Sequence, residues 1–312
     1  MSSSEEDPTN ETPRLPTSQV VKFLILSDTH STSAFHRPTP RVDVVLHCGD
    51  LTKNGTHDEL LKALILLGSI SAELKLVIAG NHDIALDTGH YTLEGGSESE
   101  SAKATKLMYG TFAQSCGVKF LTEGTYEYRL RSGALLRVHA SPYTPHHRHS
   151  AFQYPRDQDR FNPPNATPQW AYNVGTQESI VPEGVDVLMT HGPPQYILDA
   201  TENGQPAGCE HLRRAVERVR PRLHCFGHLR REYGACRVRY TDGVGQVLPK
   251  EPVKKHQPLK RGFAALSAAS ADEFKRDKGQ GLMVNAAIVD KNGEPTNAPW
   301  LVELELGANG WV

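Results

Sequence analysis

Long apolar runs are missing from this sequence of 312 residues. No stretch approaches the roughly 20 apolar residues that a helix needs to cross a bilayer. The first seven residues, Met1 to Asp7, are polar and acidic, whereas a secretory signal starts with basic residues and continues with an apolar core. The sequence therefore predicts neither a membrane span nor a secretory signal, and we expect no membrane partner.

A large net charge is missing as well. The chain has 34 Lys and Arg residues against 36 Asp and Glu residues, which gives a net charge of −2 and a pI near 6.7. Proteins that bind along a long nucleic acid carry a strongly basic surface, and this balance of charges predicts no such surface. We therefore expect a small substrate and no long nucleic acid.

Cysteine is scarce, and its five positions show no repeated short spacing. Cys48 and Cys225 lie within apolar, strand-like runs, where a thiol behaves as a small apolar side chain. An odd number of scattered cysteines argues against a disulfide framework and against a thiolate metal site. We interpret them as buried free thiols, which predicts a reducing, cytoplasmic location and leaves the nucleus open as an alternative.

What the sequence does contain is a set of polar residues placed directly after apolar, strand-like runs. In the opening section these runs alternate with a loop and a helix, which predicts a parallel sheet whose carboxyl ends form one edge. Carboxylate, amide and imidazole groups without a thiolate suit Mn, Fe or Zn. The residues that stand at the ends of these runs are Asp28, His30, Asp50, Asn81, His82, His191 and His228.

The remaining pattern predicts a disordered tail over residues 1–19 and a single domain over residues 20–312. Thr56 and Glu59 have the spacing of a capping box and predict the start of a helix. Three further stretches have predictions of their own: an exposed loop at residues 94–101, an antiparallel group of short strands between 118 and 140, and a solvated Lys-rich loop at about 246–280.

Residues 141–182 form a long, proline-rich insertion without a helix or strand period. Segments of this length inside a domain are usually functional or disordered. The aromatic side chains of the insertion favour function, as a wall that stacks on a base, but packing of the loop on itself is an equal alternative. These aromatic residues are Tyr143, Phe152, Tyr154, Phe161, Trp170 and Tyr172.

Five motifs taken in order resemble the calcineurin-like metallophosphoesterases, although each motif alone is weak. They are Asp28-Thr29-His30, Gly49-Asp50, Gly80-Asn81-His82-Asp83, Thr190-His191-Gly192 and Gly227-His228. Smaller motifs resemble the branch of metallophosphoesterase-domain-containing, class III-like phosphodiesterases: Ala140-Ser141-Pro142-Tyr143, Gly192-Pro193-Pro194 and Val284-Asn285-Ala286-Ala287. The resemblance covers about Val21 to His228 and implies an α/β fold, a four-layer α/β/β/α sandwich of two mixed β-sheets.

The resemblance also implies roles for the residues at the strand ends. Asp28, His30 and a bridging Asp50 would hold a first divalent ion, and Asp50, Asn81, His191 and His228 would hold a second. His82 would lie beside the ions as a proton donor or as a stabiliser of charge, and Asn81 and His82 would contact the substrate. Two such ions activate a water that attacks phosphorus directly, so the implied reaction is phosphoester hydrolysis in which His82 and Asp50 are catalytic.

Arg230 departs from the family pattern, because the last motif of the family carries a second histidine at this position. An arginine stays protonated and has no lone pair for a metal. Three interpretations stay open: a two-ion site that is impaired, a one-ion enzyme in which Arg230 replaces the charge of the missing ion and binds phosphate, or a closed site with little turnover.

The sequence thus supports two functional hypotheses. The first is a metal-dependent phosphoesterase that hydrolyses a small phosphodiester or nucleotide. The second is a nucleotide-binding protein with weak or no turnover, because Arg230 replaces a ligand. A protein Ser/Thr phosphatase is disfavoured, since the residues from Gly49 to Gly55 lack the Gly-Asp-x-x-x-Arg-Gly form of those enzymes.

Overall fold

The structure of the protein is a computed structural model that describes residues 18–32, 39–147, 150–241, 244–253, 260–308 and 310–311. Apolar runs form strands in it, and amphipathic stretches form helices. In chain order the elements are β1 (Ser18–Leu26), β2 (Val42–Cys48), α1 (His57–Gly68), β3 (Ala72–Ile78), α2 (Thr88–Leu93), α3 (Glu98–Tyr109), α4 (Thr111–Ser115), β4 (Val118–Phe120), β5 (Gly124–Arg129), β6 (Leu135–Ser141), β7 (Thr144–Pro145), β8 (Gln153–Tyr154), β9 (Gln158–Asp159), β10 (Tyr172–Asn173), β11 (Val187–Thr190), α5 (Glu210–Val219), β12 (Leu223–Phe226), β13 (Gly234–Thr241), β14 (Val244–Val247), α6 (Ala268–Arg276), β15 (Gln280–Asn285), β16 (Trp300–Gly307) and β17 (Gly310–Trp311). Short 3-10 helices cover Ile84–Leu86, Pro164–Ala166 and Arg230–Glu232.

The first sheet has the strand order β17-β16-β1-β2-β3-β4. Strands β1 to β4 are parallel, and β16 and β17 add an antiparallel edge. The predicted parallel opening section is confirmed. The prediction for β4 is wrong, because this strand does not join an antiparallel group. The chain reaches β4 through α3 and α4, and such a helical crossover returns it parallel to β3.

The second sheet has the strand order β14-β13-β15-β12-β11-β6-β5. Its centre, from β15 to β6, is parallel, while β5, β13 and β14 run antiparallel to their neighbours. Antiparallel pairing of β5 with β6 agrees with the sequence pattern. Both sheets are therefore mixed, and β11 and β12 lie side by side with their carboxyl ends at the same edge.

The two sheets face each other across the largest apolar core. Phe23 and Leu46 from the first sheet pack there with Val138, Met189 and Val284 from the second, and all five are fully buried. Helices α1, α3 and α4 cover the outer face of the first sheet, and α5 covers the outer face of the second. The predicted four-layer α/β/β/α sandwich is confirmed.

Three boundary predictions need correction. Strand β1 begins at Ser18, because residues 18–20 pair with β16, so only residues 1–17 of the predicted tail lie outside the described residues. Part of the predicted loop at 94–101 is helical, because Ser97 caps α3. The Lys-rich stretch contains α6, which Ser267 caps and the buried Phe274 anchors, while residues 254–259 lie outside the described residues.

The capping box of α1 is present in full: the Thr56 side chain accepts from the backbone N–H of Glu59, and the Glu59 side chain accepts from the backbone of Thr56. The five cysteines are unpaired, and four are buried, while Cys116 is partly exposed. In the described part of the chain, no helix has the length and apolar character to cross a membrane.

Candidate metal centre

The first sheet delivers three of the predicted ligands at the carboxyl ends of neighbouring parallel strands. Asp28 follows β1, Asp50 follows β2 and Asn81 follows β3, and all three are buried. The backbone N–H of Asp28 donates to the carbonyl of Gly49 at 2.9 Å, and that of His30 donates to the carbonyl of Asp50 at 3.1 Å. These bonds join the two loops, so their side chains emerge together at one edge of the sheet.

The backbone at this edge is left-handed at four predicted ligands. The φ angles are 51° at Asp28, 44° at His30, 54° at Asp50 and 66° at His228. A left-handed conformation costs a residue with a Cβ atom roughly 1–2 kcal/mol, and such strain concentrates at functional sites. The sharp turn after each strand aims these side chains back across the strand ends.

The second sheet supplies the two remaining histidines. His191 follows β11 and His228 follows β12, which are adjacent and parallel. The backbone N–H of Gly227 donates to the carbonyl of His191 at 3.0 Å. The backbone N–H of His228 donates to Oδ2 of Asp28 at 2.9 Å, across the gap between the sheets. The predicted ligands from both sheets therefore meet in one place.

Asn81 lies at the centre of the group predicted to hold the second ion. Its Oδ1 is 2.9 Å from Nε2 of His191 and 2.8 Å from Nδ1 of His228. Oδ1 of Asp50 is 3.3 Å from the same Nε2 of His191. Asp28, Asp50 and His191 also place one ligand atom each within 4.8 Å of one another. Two oxygens and two nitrogens thus converge at the second position.

His191 shows that this group fits a cation. Its Nδ1 lies 2.8 Å from the carbonyl oxygen of Cys48, which can only accept, so Nδ1 carries the proton. In the neutral ring, Nε2 then has a lone pair that points at Oδ1 of Asn81 and Oδ1 of Asp50. Lone pairs that face one another without a proton repel, and a divalent ion between them removes the repulsion.

Protonation states at the centre favour metal binding. Burial lowers the pKa of His228 to about 3, so its ring is neutral near pH 7. Burial raises the pKa of Asp50, but its histidine neighbours, chiefly His191 and His30, outweigh burial and hold that pKa well below its usual value. A divalent ion therefore meets ligands that have already lost their protons.

The group predicted to hold the first ion contains Arg230 as well. Nη2 of Arg230 lies 2.6 Å from Nε2 of His30, and Nε lies 3.6 Å from Oδ1 of Asp28. Burial lowers the pKa of His30 and the contact with Asp50 raises it, with a net shift upward. The guanidinium offers only donors, so Nε2 of His30 accepts in this contact, and a proton on Nε2, which the raised pKa favours, would turn the two groups apart.

His82 lies at the rim of the centre, where it was predicted. Its Nδ1 is 3.0 Å from the carbonyl oxygen of Lys53, so Nδ1 carries a proton that points away from the ligands. Its ring stands edge-on to the ring of His30, with centroids 4.9 Å apart. The backbone N–H of His82 donates to Oδ1 of Asp50 at 2.9 Å. Nε2 is the atom left to face a substrate.

Two glycines of the motifs are explained by close approach to the carboxylates. A Cβ atom on Gly80 would collide with the side chain of Asp50, and one on Gly227 would collide with that of Asp28. Any larger residue at either position would displace a predicted ligand. Each position therefore requires glycine because the predicted ligand beside it approaches closely, and not because the backbone turns there.

Sequence reasoning missed two residues that build the centre. Asp83 is buried and accepts from the backbone N–H groups of Gly80, Leu51 and Thr52 and from the hydroxyl of Thr52. Burial and the charge of Asp50 raise the pKa of Asp83 to about 6. The Gly-Asn-His-Asp motif contains Asp83, but the motif alone indicates no role for this residue.

The second missed residue is Ser150, which orients Asn81. The side-chain NH₂ of Asn81 donates to Oγ of Ser150 at 2.7 Å, and that hydroxyl donates to the carbonyl of Asn81 at 3.0 Å. These bonds turn Oδ1 of Asn81 toward His191 and His228. Ser150 is 69 residues away in the sequence, and no local pattern indicates the contact.

The aromatic residues of the insertion mostly pack within the loop. Tyr143 stacks under the guanidinium of Arg160 at 3.6 Å and contacts the ring of Phe152. Tyr154 and Phe161 are buried against each other. The alternative of a loop that packs on itself therefore describes these four residues. Only Trp170 and Tyr172, at 54% and 69% exposure, remain open to solvent among the six aromatics considered.

Comparison with known proteins agrees with this geometry. Residues 21–230 match the family model described as calcineurin-like phosphoesterase. The chain belongs to the calcineurin-like phosphoesterase family. Phosphoester hydrolysis with the help of metal ions is the chemistry of this family, and Asp28, Asp50 and His191 form a candidate metal site in this member.

Relatives within the calcineurin-like phosphoesterases include human metallophosphoesterase domain-containing protein 1. It is 33% identical over 229 residues, which cover 68% of this chain and 61% of that protein. This similarity confirms the resemblance to the metallophosphoesterase-domain-containing branch. A probable rhamnogalacturonate lyase C of Emericella nidulans is 35% identical over 221 residues, which cover 70% of this chain and 18% of the lyase. The chain thus spans less than two thirds of the length of these curated relatives.

Among solved structures, the purple acid phosphatase of yellow lupin (Lupinus luteus) aligns with a TM-score of 0.38. The identity is 12%, and the alignment covers 86% of this chain and 44% of that chain.

Proposed function

We propose that this protein is a metal-dependent hydrolase of a small phosphodiester or nucleotide. The observation that carries the proposal is the convergence of Asp50, Asn81, His191 and His228, in which the lone pair of His191 faces two oxygens. These four residues would hold a divalent ion, which would supply a water of lowered pKa and positive charge for the phosphate oxygens. The donor set is compatible with Mn, Fe or Zn.

The protein's own residues orient the substrate and move the proton. His82 keeps Nδ1 bonded to the carbonyl of Lys53, which leaves Nε2 to exchange a proton with the leaving-group oxygen. The side chain of Arg230 is 22% exposed, and a guanidinium beside the predicted ligands can donate to a phosphate oxygen.

The balanced charge of the chain and the unpaired state of its cysteines complete the proposal. A net charge of −2 supports a small anionic substrate rather than a long nucleic acid. Five unpaired thiols support action in a reducing compartment such as the cytoplasm or nucleus.

Hydrolysis of bis(p-nitrophenyl) phosphate with and without Mn²⁺ tests the proposal. We expect Mn²⁺-dependent turnover that His191→Gln lowers at least about 100-fold, because the metal loses a ligand. His57→Gln is the matched control, since His57 is exposed at the start of α1 and should keep full activity. Turnover that survives both EDTA and His191→Gln would contradict the proposal.

A second candidate function is nucleotide binding with little turnover, and the contact between Arg230 and His30 favours it. An arginine that blocks a ligand position could leave a site that binds a phosphate without cleaving it. Calorimetry with AMP distinguishes the two functions. Binding of AMP by a protein that holds metal but gives no Mn²⁺-dependent turnover supports the second function and contradicts the first.

A further inference from the structure

We infer that this chain holds one divalent ion and that the guanidinium of Arg230 takes the place of the other. The inference deepens the proposed function, on which it rests for the role of the remaining ion. Arg230 contacts each of the three residues that the family would use for the first ion. Its Nη2 lies 2.6 Å from Nε2 of His30 and 4.0 Å from Oδ2 of Asp50, and its Nε lies 3.6 Å from Oδ1 of Asp28.

The contact with His30 excludes an ion in the same position. A divalent ion bound by an imidazole lies about 2.0–2.2 Å from the nitrogen, along its lone pair. That lone pair already points at Nη2 of Arg230 at 2.6 Å. The guanidinium and an ion cannot both occupy this direction, and their positive charges would repel each other at such a short separation.

Asp28 shows what the guanidinium does for the fold. The residue is fully buried, its Oδ2 accepts from the backbone of His228, and its Oδ1 has no hydrogen-bond partner in the described part of the chain. A buried carboxylate needs a compensating charge. Arg230 is the cation that pairs with Asp28, at 3.6 Å, so it supplies positive charge that the family draws from its first ion.

The two oxygens of Asp50 divide between the positions. Oδ2 faces His30 and Arg230, at 3.4 Å and 4.0 Å. Oδ1 faces the other way and lies 3.3 Å from Nε2 of His191. The position formed by Asp50, Asn81, His191 and His228 is therefore complete without the first, because Arg230 approaches Asp50 at Oδ2 and leaves Oδ1 to face His191.

The backbone holds Arg230 in place. The side-chain NH₂ of Asn285, at the end of β15, donates to the carbonyl of Leu229 at 2.9 Å. The short 3-10 helix then begins at Arg230 itself. With one divalent ion, one guanidinium and the carboxylates of Asp28 and Asp50, the centre has a net charge of about +1, which suits an anionic phosphate.

Metal content measured without reference to activity tests the inference. We would load the purified full-length protein with Mn²⁺, remove free metal and count ions per chain by elemental analysis and calorimetry. The wild type should hold one ion and give the six-line electron paramagnetic resonance signal of isolated Mn²⁺. Arg230→His should hold two ions and give the signal of a coupled pair. Arg231→His, the same change at the exposed neighbouring residue, should hold one.

Two ions in the wild type, no ion in the wild type, one ion in a folded Arg230→His variant, or two ions in Arg231→His would each overturn the inference. The wild-type count stands alone if Arg230→His fails to fold. Failure of the proposed function is distinguishable. One ion without hydrolysis of bis(p-nitrophenyl) phosphate would contradict the proposed function and support the inference. Two ions with hydrolysis would support the proposed function and contradict the inference.

Discussion

His224 and Thr190 form a buried hydrogen bond of 2.8 Å, and Thr190 directly precedes the predicted ligand His191. The hydroxyl of Thr190 donates to the carbonyl of Gly192, so it accepts from Nε2 of His224. His47 and Thr29 form a similar bond of 2.9 Å in the first sheet, where Thr29 stands between the predicted ligands Asp28 and His30. A buried neutral histidine thus supports a ligand loop in each sheet.

We predict that His224 makes the protein less stable in mild acid. Burial lowers its pKa from 6.5 to about 3, so the unfolded chain takes up a proton below pH 6.5 while the folded chain does not. The free energy of unfolding should therefore fall as the pH drops through 6.5, by about 2 kcal/mol between pH 7 and pH 5 for this residue. Urea unfolding in EDTA at the two pH values measures the loss. His224→Gln should reduce it by that amount, and His57→Gln should not. An equal loss in wild type and His224→Gln would refute the assignment.

Removal of the metal should destabilise the folded protein without unfolding it. The ligands come from both sheets, so an ion binds the folded chain and not the unfolded one. At a free Mn²⁺ concentration 100 times Kd, this adds about 2.7 kcal/mol to the free energy of unfolding. Chemical denaturation with Mn²⁺ and with EDTA measures the difference. His191→Ala should show none, and a difference that persists in this variant would place the stabilising ion elsewhere.

Asp83→Asn should destabilise the protein by about 1–3 kcal/mol, because an amide has one acceptor oxygen where the carboxylate accepts from two buried loops with both, and removal of the charge beside Asp50 offsets only part of this loss. The NH₂ group of the variant would face backbone N–H groups as a second donor. Denaturant unfolding checks the value, with Asp58→Asn at the exposed first turn of α1 as the control, expected to change stability by well under 1 kcal/mol. Similar losses in the two variants would show that Asp83 has no special role.

Ser150→Ala should weaken Mn²⁺ binding about tenfold, since residues that orient a ligand contribute to metal affinity without touching the metal. The variant frees the side-chain amide of Asn81 to rotate away from His191 and His228. Calorimetric titration with Mn²⁺ measures the change. Ser115→Ala, at the exposed end of α4, is the control, and equal affinities for all three proteins would exclude this role for Ser150.

Much of the fold and most of the centre follow from one local pattern. Polar residues that end parallel strands must meet at one edge of the sheet, so Asp28, Asp50 and Asn81 could be placed together from the sequence alone. His191 and His228 needed the further knowledge that two sheets face each other, and this came from the resemblance to a family. The structure brings these side chains together, and their roles as ligands stay predictions.

The features that were missed depend on contacts distant in the sequence. Ser150 reaches Asn81 from a loop that has no periodic pattern, and β4 joins β3 only because helices carry the chain back. The sequence also leaves the orientation of the Arg230 side chain undecided, because a long flexible side chain can turn toward the predicted metal ligands or toward solvent. Burial of the Asp28 carboxylate favours the inward orientation, and this burial arises only when the two sheets pack together.

Because the centre takes its residues from two sheets, its geometry depends on how those sheets are positioned relative to each other. Sliding one sheet by 1 Å would change every distance from Asp50 or Asn81 to His191 and His228, yet it would leave distances within each sheet unchanged. Apolar residues of the core between the sheets, such as Phe23 and Met189, therefore help to set the shape of the centre. Substitutions in that core should therefore change the geometry of the candidate metal centre as well as the stability of the fold.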